Sequence, residues 1–237
     1  MIILERILVE GWDAAIRGMR NPYNSWENSD SVHNIEFNTD EEQNPILGSA
    51  RRVTRIGEKD LALMKSLVKA GSDHSKFLRM ITVTIDITAP LYWWKEFDTY
   101  KVGTVANSCS TMHTLQNKEF TLDDFSHEFL WDGITEVENE SGEIEPEANY
   151  LNGLETTIEL LNLARDKFNE THNKKYWWQM IQLLPSSYNQ KRTVQLNYQV
   201  LKSMYNARRT HKLDEWVFFC NAIAENFPYF KEICIDK

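Results

Sequence analysis

Residues 71–113 read GSDHSKFLRMITVTIDITAPLYWWKEFDTYKVGTVANSCSTMH, and three elements follow one another in them. From 79 to 88 the chain alternates: Ile81, Val83, Ile85 and Ile87 on one side, Thr82, Thr84, Asp86 and Thr88 on the other. A period of two predicts a strand with one buried face. Thr88-Ala89-Pro90 then offers an N-cap residue and a proline near a first helical turn, where its missing N–H costs nothing. The run Leu91 to Phe97 (LYWWKEF) reads as a bulky aromatic helix packed on that strand. The pattern breaks around Tyr100–Gly103 into a small polar segment, Thr104 to His113. It is short of core-forming bulk and rich in hydrogen-bonding groups, which suits a polar ligand.

Outward from this unit, the 237 residues set the bounds. That length makes one large domain or two small ones; we read one domain over 1–237, with long polar or acidic loops at 22–50 and 136–149. The formal charge of −9 argues against a DNA partner, which needs a basic face, but leaves room for a local basic pocket. No apolar run reaches the roughly 18–20 residues that span a bilayer, so no membrane partner is expected. The first residues, MIILERILVEGWD, carry Glu5 and Glu10 and no cleavage pattern, unlike a secretory signal. Cys109, Cys220 and Cys234 are an odd set without paired spacing, and read as reduced thiols of a cytoplasmic protein.

In chain order, residues 1–9 form an initial strand and Gly11 to Arg20 a short helix ended by Asn21-Pro22. Residues 22–50 read as a long polar loop or a lid. Leu61, Met64, Leu67 and Val68 give residues 58–70 helical spacing, with Gly71 as the stop. Residues 117–135 read as a short helix or irregular chain, and the glutamates at 136–147 as a solvated acidic loop. The second half is helical: 151–170, 177–184 stopped by Pro185, 193–209, and 213–227.

The expected helix at 193–209 carries the most informative charge. Asn197, Leu201, Met204 and Arg208 share one stripe at 3.6 residues per turn. Leu201 and Met204 mark the stripe as buried, so Arg208 at its end needs an anion, either an internal acid or a phosphate. Arg192 and Arg209 read as solvated. His74 follows a helix stop, Lys101 ends the aromatic helix, and Cys109 has no His or Asp partner that would make it a nucleophile. There is no Gly-rich phosphate loop, GxGxxG, CxxC or HExxH, and no metal set.

These blocks resemble a known family. The order is helix, Gly-x-x-His, alternating strand, Ala89-Pro90, aromatic helix and polar Asn/Ser segment. Later come Leu184-Pro185, Asn197, Leu201 and Arg208 at matching steps, then Trp216 in an apolar helix. Over roughly residues 55–230 this resembles the flavin-dependent thymidylate synthases, the ThyX family. Its signature, Arg-His-Arg then Ser, is altered: Thr99, Tyr100 and Lys101 stand in the register, and Met112 and Ile181 stand where the family has Arg.

The resemblance implies an α/β (α+β) fold with a curved, mostly antiparallel sheet flanked by helices. It implies a homotetramer and FAD as cofactor, with dUMP, methylenetetrahydrofolate and NADPH as substrates. Carried over residue by residue, His74 and Lys101 would be catalytic. His74, Tyr100, Asn107 and Asn197 would meet the flavin; Glu96, Lys101, Ser108, Ser110 and Arg208 would meet the nucleotide. The expected function is C5 methylation of dUMP or a related pyrimidine nucleotide. The alternative is a nucleotide-binding protein on the same scaffold without the chemistry.

Overall fold

The computed structural model describes residues 2–36, 51–133, 136–138, 141, 144–146 and 148–235. The expected mixture of strands and helices is what the chain adopts. In order the elements are β1 (Ile3–Glu10), α1 (Trp12–Arg20), β2 (Val32–Glu36), β3 (Arg51–Arg55), α2 (Glu58–Ala70), β4 (Thr82–Pro90), α3 (Leu91–Phe97) and β5 (Val105–Ser108). Then come α4 (Thr111–Thr114), β6 (Glu136–Glu138), β7 (Ile144–Pro146), α5 (Tyr150–Thr171), α6 (Lys174–Leu183), β8 (Asn189–Asn197), α7 (Tyr198–Arg208) and α8 (Asp214–Asn226). Four strands form one sheet in the order β1-β4-β8-β5, and β2–β3 and β6–β7 are two-stranded antiparallel ladders.

The chain divides into two compact units. One holds Met1–Glu5, Asp86–Thr99 and Ala106–Thr193; the other holds Arg6–Ile85, Tyr100–Val105 and Val194–Lys237.

In the second unit, α1 begins at Gly11, whose φ of 89 only glycine adopts without strain. A Cβ there would overlap the Met80 carbonyl oxygen. The buried charge pair Arg20–Asp60, 2.7 Å apart, joins α1 to α2. Asp60 also accepts from the Ser29 and Ser31 hydroxyls, at 2.6 Å each. Burial alone would raise the Asp60 carboxyl; the Ser29, Ser31 and Arg20 hydrogen bonds outweigh it and hold the pKa below its ordinary value. Trp12 meets Tyr198 edge-on at 5.4 Å, and Tyr198 meets Phe230 at 5.3 Å. Tyr198 donates to the Pro228 carbonyl at 2.7 Å, and burial pushes its phenol far up.

The first unit has an aromatic part and a helical part. Trp93, Trp94 and Phe97 of α3 are at most 2% exposed. Leu154, Ile158, Leu161 and Ala164 of α5 pack with Met180 of α6, Leu115, Phe120 and Phe125.

The differences from the sequence reading are local. The alternating strand starts at Thr82, because Lys76–Arg79 close into a 3-10 turn. It runs on through Ala89 and Pro90, so Pro90, extended at ψ 151, takes the N-cap position instead of Thr88. Residues 22–36 are not a loop throughout: they include β2, which pairs with β3; 37–50, the rest of the proposed lid, lie outside the described residues. Within the acidic stretch, β6 and β7 pair as strands. The expected helix over 193–209 is in truth strand to Asn197, then helix. Val194 and Leu196 face inward at period two on β8, and that alternation outweighs the helical spacing until Tyr198.

Candidate functional site

In the second unit Asn197 and Arg208 stand at the two ends of α7, and Tyr100 meets Arg208. Asn197 ends β8 and caps the helix: its side-chain oxygen accepts from the Val200 N–H at 3.1 Å. Leu201 and Met204 are buried, as the stripe predicts. Arg208 closes the stripe at the helix end. Its Nε donates to Tyr100 Oη at 3.1 Å. Its guanidinium carbon lies 5.3 Å from the Trp216 ring centre and 5.8 Å from that of Tyr100. Tyr100 and Trp216 are themselves 6.2 Å apart, so Arg208 lies beside a pair of aromatic rings, an arrangement that suits a planar cation. Burial pushes the nearby Cys220 thiol up to about 11 against the pull of the Arg208 charge, so it stays neutral.

The chain from Tyr100 to Val105 turns over the start of α7. Gly103 sits at φ 82, and a Cβ on it would lie 3.1 Å from Asn197 Nδ2 and 3.2 Å from Val200. This close approach brings Asn197 beside the turn that carries Lys101. Lys101 is exposed, and so is His74, which follows the end of α2. Neither side chain has a hydrogen-bond or ion-pair partner among the described residues. The Thr104 hydroxyl is buried with no partner among them; sequence reasoning passed over it, since a threonine before a strand carries no distinguishing pattern.

In the first unit, Asn107 and Ser108 lie on β5, all of whose residues are exposed. Their side chains, too, have no hydrogen-bond partner among the described residues. Ser110 stands at the N-cap of α4. Glu96 is half-buried on α3, and its carbonyl oxygen accepts from the Thr99 hydroxyl at 2.7 Å. Cys109 is exposed; its N–H donates to Lys191 O at 2.9 Å and its carbonyl accepts from Gln190 Nε2 at 2.8 Å. These two bonds fix the polar segment to β8.

Arg192 is not solvated as expected. Its side chain is 15% exposed and pairs with Asp98 at 2.8 Å. It also donates to Gln190 Oε1 at 3.0 Å and lies 4.2 Å above the Trp94 ring. The cause is the missed strand: on β8, Arg192 runs alongside α3. The same strand brings Thr193 to Asp86, its hydroxyl donating at 2.7 Å, which explains the one polar residue buried on β4. The residues at the other altered positions are Met112, exposed, and Ile181, packed against the helical core. Among the described residues no group of three or more His, Cys, Asp or Glu could hold a metal ion, and no helix is long and apolar enough to cross a membrane.

No protein-family model matches the chain, and no curated protein matches it. Solved structures do. Thymidylate synthase X (ThyX) from Helicobacter pylori, with FAD and dUMP, is 17% identical. The match covers 99% of this chain and 97% of that one at a TM-score of 0.62. A second structure of that flavin-dependent enzyme, also complexed with FAD and dUMP, gives 18%, 99% of both chains and 0.61. A UMP/dUMP methylase, PolB from Streptomyces cacaoi, bound with 5-Br dUMP, is 12% identical over 94% of this chain and 88% of that one, at 0.54. At such identities the likeness is one of fold: the chain has a ThyX-like fold.

Proposed function

We propose that this chain is a divergent FAD-dependent thymidylate synthase-like protein that methylates dUMP, or a related pyrimidine nucleotide, at C5. Methylenetetrahydrofolate would give the carbon and NADPH the electrons. One observation carries this reading: the spacing of Ala89-Pro90, Leu184-Pro185, Asn197 and Arg208 falls within a ThyX-like fold matched over 99% of the chain. In the same proposal residues 1–237 act as one domain, assemble as a homotetramer and work in the cytoplasm on a nucleotide rather than on DNA.

The side chains suit such ligands. His74, Lys101, Asn107 and Ser108 have no protein partner among the described residues, and the buried Thr104 hydroxyl has none either. Flavin and nucleotide are rich in acceptors that would answer these donors. In this proposal His74, Tyr100, Asn107 and Asn197 hold the flavin. Asn197 does so through its amide N–H, since its oxygen caps α7, and Tyr100 through its hydroxyl proton, since its oxygen accepts from Arg208. Arg208, Lys101, Ser108, Ser110 and Glu96 hold the nucleotide. Arg208, already oriented by two rings, meets the phosphate without a large ordering cost. Bound FAD would supply the reducing chemistry. His74 and Lys101 orient and polarise the base.

The experiment is conversion of dUMP by purified protein with FAD, NADPH and methylenetetrahydrofolate, read by mass spectrometry as a gain of one methyl group. A second reading, nucleotide binding without chemistry, is favoured by one pair of bonds. Thr99 and Tyr100, at the altered signature positions, both make internal contacts: the Thr99 hydroxyl donates to Glu96 O, and the Tyr100 oxygen accepts from Arg208. Saturable dUMP binding with no flavin uptake and no methylated product would select it.

A further inference from the structure

A cavity of about 650 Å³ in the second unit has none of the residues assigned above among those that line it. Lys65, Ser66 and Lys69 of α2, Lys202 and Asn206 of α7, and Cys234 near the C-terminus are among the residues that line it. Among the described residues that line it three are lysines and none is an acid, in a chain with 35 acids against 26 basic residues. None of the three lysines has an ion-pair partner among the described residues. Glu232, next to the lining residue Ile233, lines a different cavity with Tyr205 and Lys231. Lys65 and Lys69 stand four apart on one helix, where like charges repel. Positive charge gathered in a concave, partly apolar site focuses the field on an anion.

We propose that this cavity is a binding site for a small phosphorylated anion, with Lys65, Lys69 and Lys202 as its charge clamp and Ser66 and Asn206 as neutral hydrogen-bonding partners. A site of roughly 300–1,000 Å³ is the usual size for a small-molecule ligand, so the cavity has room for a nucleotide-sized molecule bearing two or more phosphoryl groups. Burial pushes the Cys234 thiol up to about 12, with Lys202 pulling it down. The wall therefore holds a neutral thiol at physiological pH and adds no competing negative charge. This site shares no lining residue with the proposed flavin and nucleotide roles, which use His74, Glu96, Asn197, Arg208 and the Tyr100–Ser110 segment.

The test is isothermal titration of the full chain with inorganic pyrophosphate at low salt. Wild type should bind with a saturable one-site isotherm. Lys202→Gln, and separately the Lys65→Gln/Lys69→Gln pair, should weaken binding at least tenfold, about 1.4 kcal/mol. Lys202→Arg should largely restore it, and Arg208→Ala should leave it unchanged. Circular dichroism of each variant checks the fold. The proposal is overturned if wild type binds no pyrophosphate, or if the lysine variants bind as wild type does. It is equally overturned if sulfate competes as well as pyrophosphate, or if Arg208→Ala alone abolishes binding. That last result would place pyrophosphate at the nucleotide site instead.

Discussion

Arg208 is held by a hydrogen bond to Tyr100 Oη and by the rings of Tyr100 and Trp216, among other contacts. A lysine keeps the charge but not the plane, so it can neither lie flat beside the rings nor present a fork. We expect Arg208→Lys to weaken dUMP binding by about 1.5–3 kcal/mol, the scale of a charged hydrogen bond, measured by calorimetry. Tyr100→Phe keeps the ring and loses the hydroxyl, so its effect should be smaller. Asp60 makes a prediction about stability. Replacing it with Asn leaves Arg20, whose side chain is 6% exposed, without its counter-charge, at a cost of about 3–5 kcal/mol in urea unfolding. The sign of its pH dependence follows from its lowered pKa. The contribution is complete above the unfolded-state value and is lost as pH falls through the folded one. Wild type should therefore lose stability on the acid side, below about pH 4, and Asp60→Asn should lose less there. Arg208 was legible in the sequence because its neighbours on the stripe are apolar; its partner Tyr100 was not, since nothing local links residues 108 positions apart.

The junction of β8 and α7 shows what spacing reveals about an element and what it hides. Leu201, Met204 and Arg208 do lie on one helical face, so the stripe was read correctly while the helix start was not. Asn197 satisfies both readings: it continues the spacing and it caps the helix. The strand before it was hidden because Gln, Lys, Arg and Thr fill five of its first seven positions, along with Asn189 and Val194. Only Val194, Leu196 and Tyr198, buried alternately, signal it. Asn197→Ala should cost about 1 kcal/mol as a lost cap. Gly103→Ala should cost more than that, because it meets both a positive φ and a crowded Cβ beside Asn197 and Val200. Thermal melts of the two variants check the order, and Gly71→Ala is a control for the backbone term, since its Cβ would meet nothing within 4 Å.

At the scale of the whole molecule, periodicity in the sequence marked individual strands and helices, two separated blocks of spacing carried the family resemblance, and that resemblance implied the fold class. The four-stranded sheet order was beyond it, because β8 was unread and the β1-β4-β8-β5 pairing joins residues far apart in the chain. The proposed site was named from the sequence as a set of residue types, His74, Lys101, Asn107, Asn197 and Arg208, but not as a set of bonds. Which donors are spent internally, as with Thr99, and which are left open, as with Lys101, is decided by tertiary structure. This chain, ThyX-like in fold, is proposed to bind a flavin even though Thr99, Tyr100 and Lys101 stand at the signature positions. To test this, purified protein is mixed with FAD and separated by size exclusion, and the visible absorption of the protein peak is recorded. Flavin absorption should elute with the protein, and His74→Ala or Asn107→Ala should reduce it. A colourless protein peak at every FAD concentration tried would contradict the proposal.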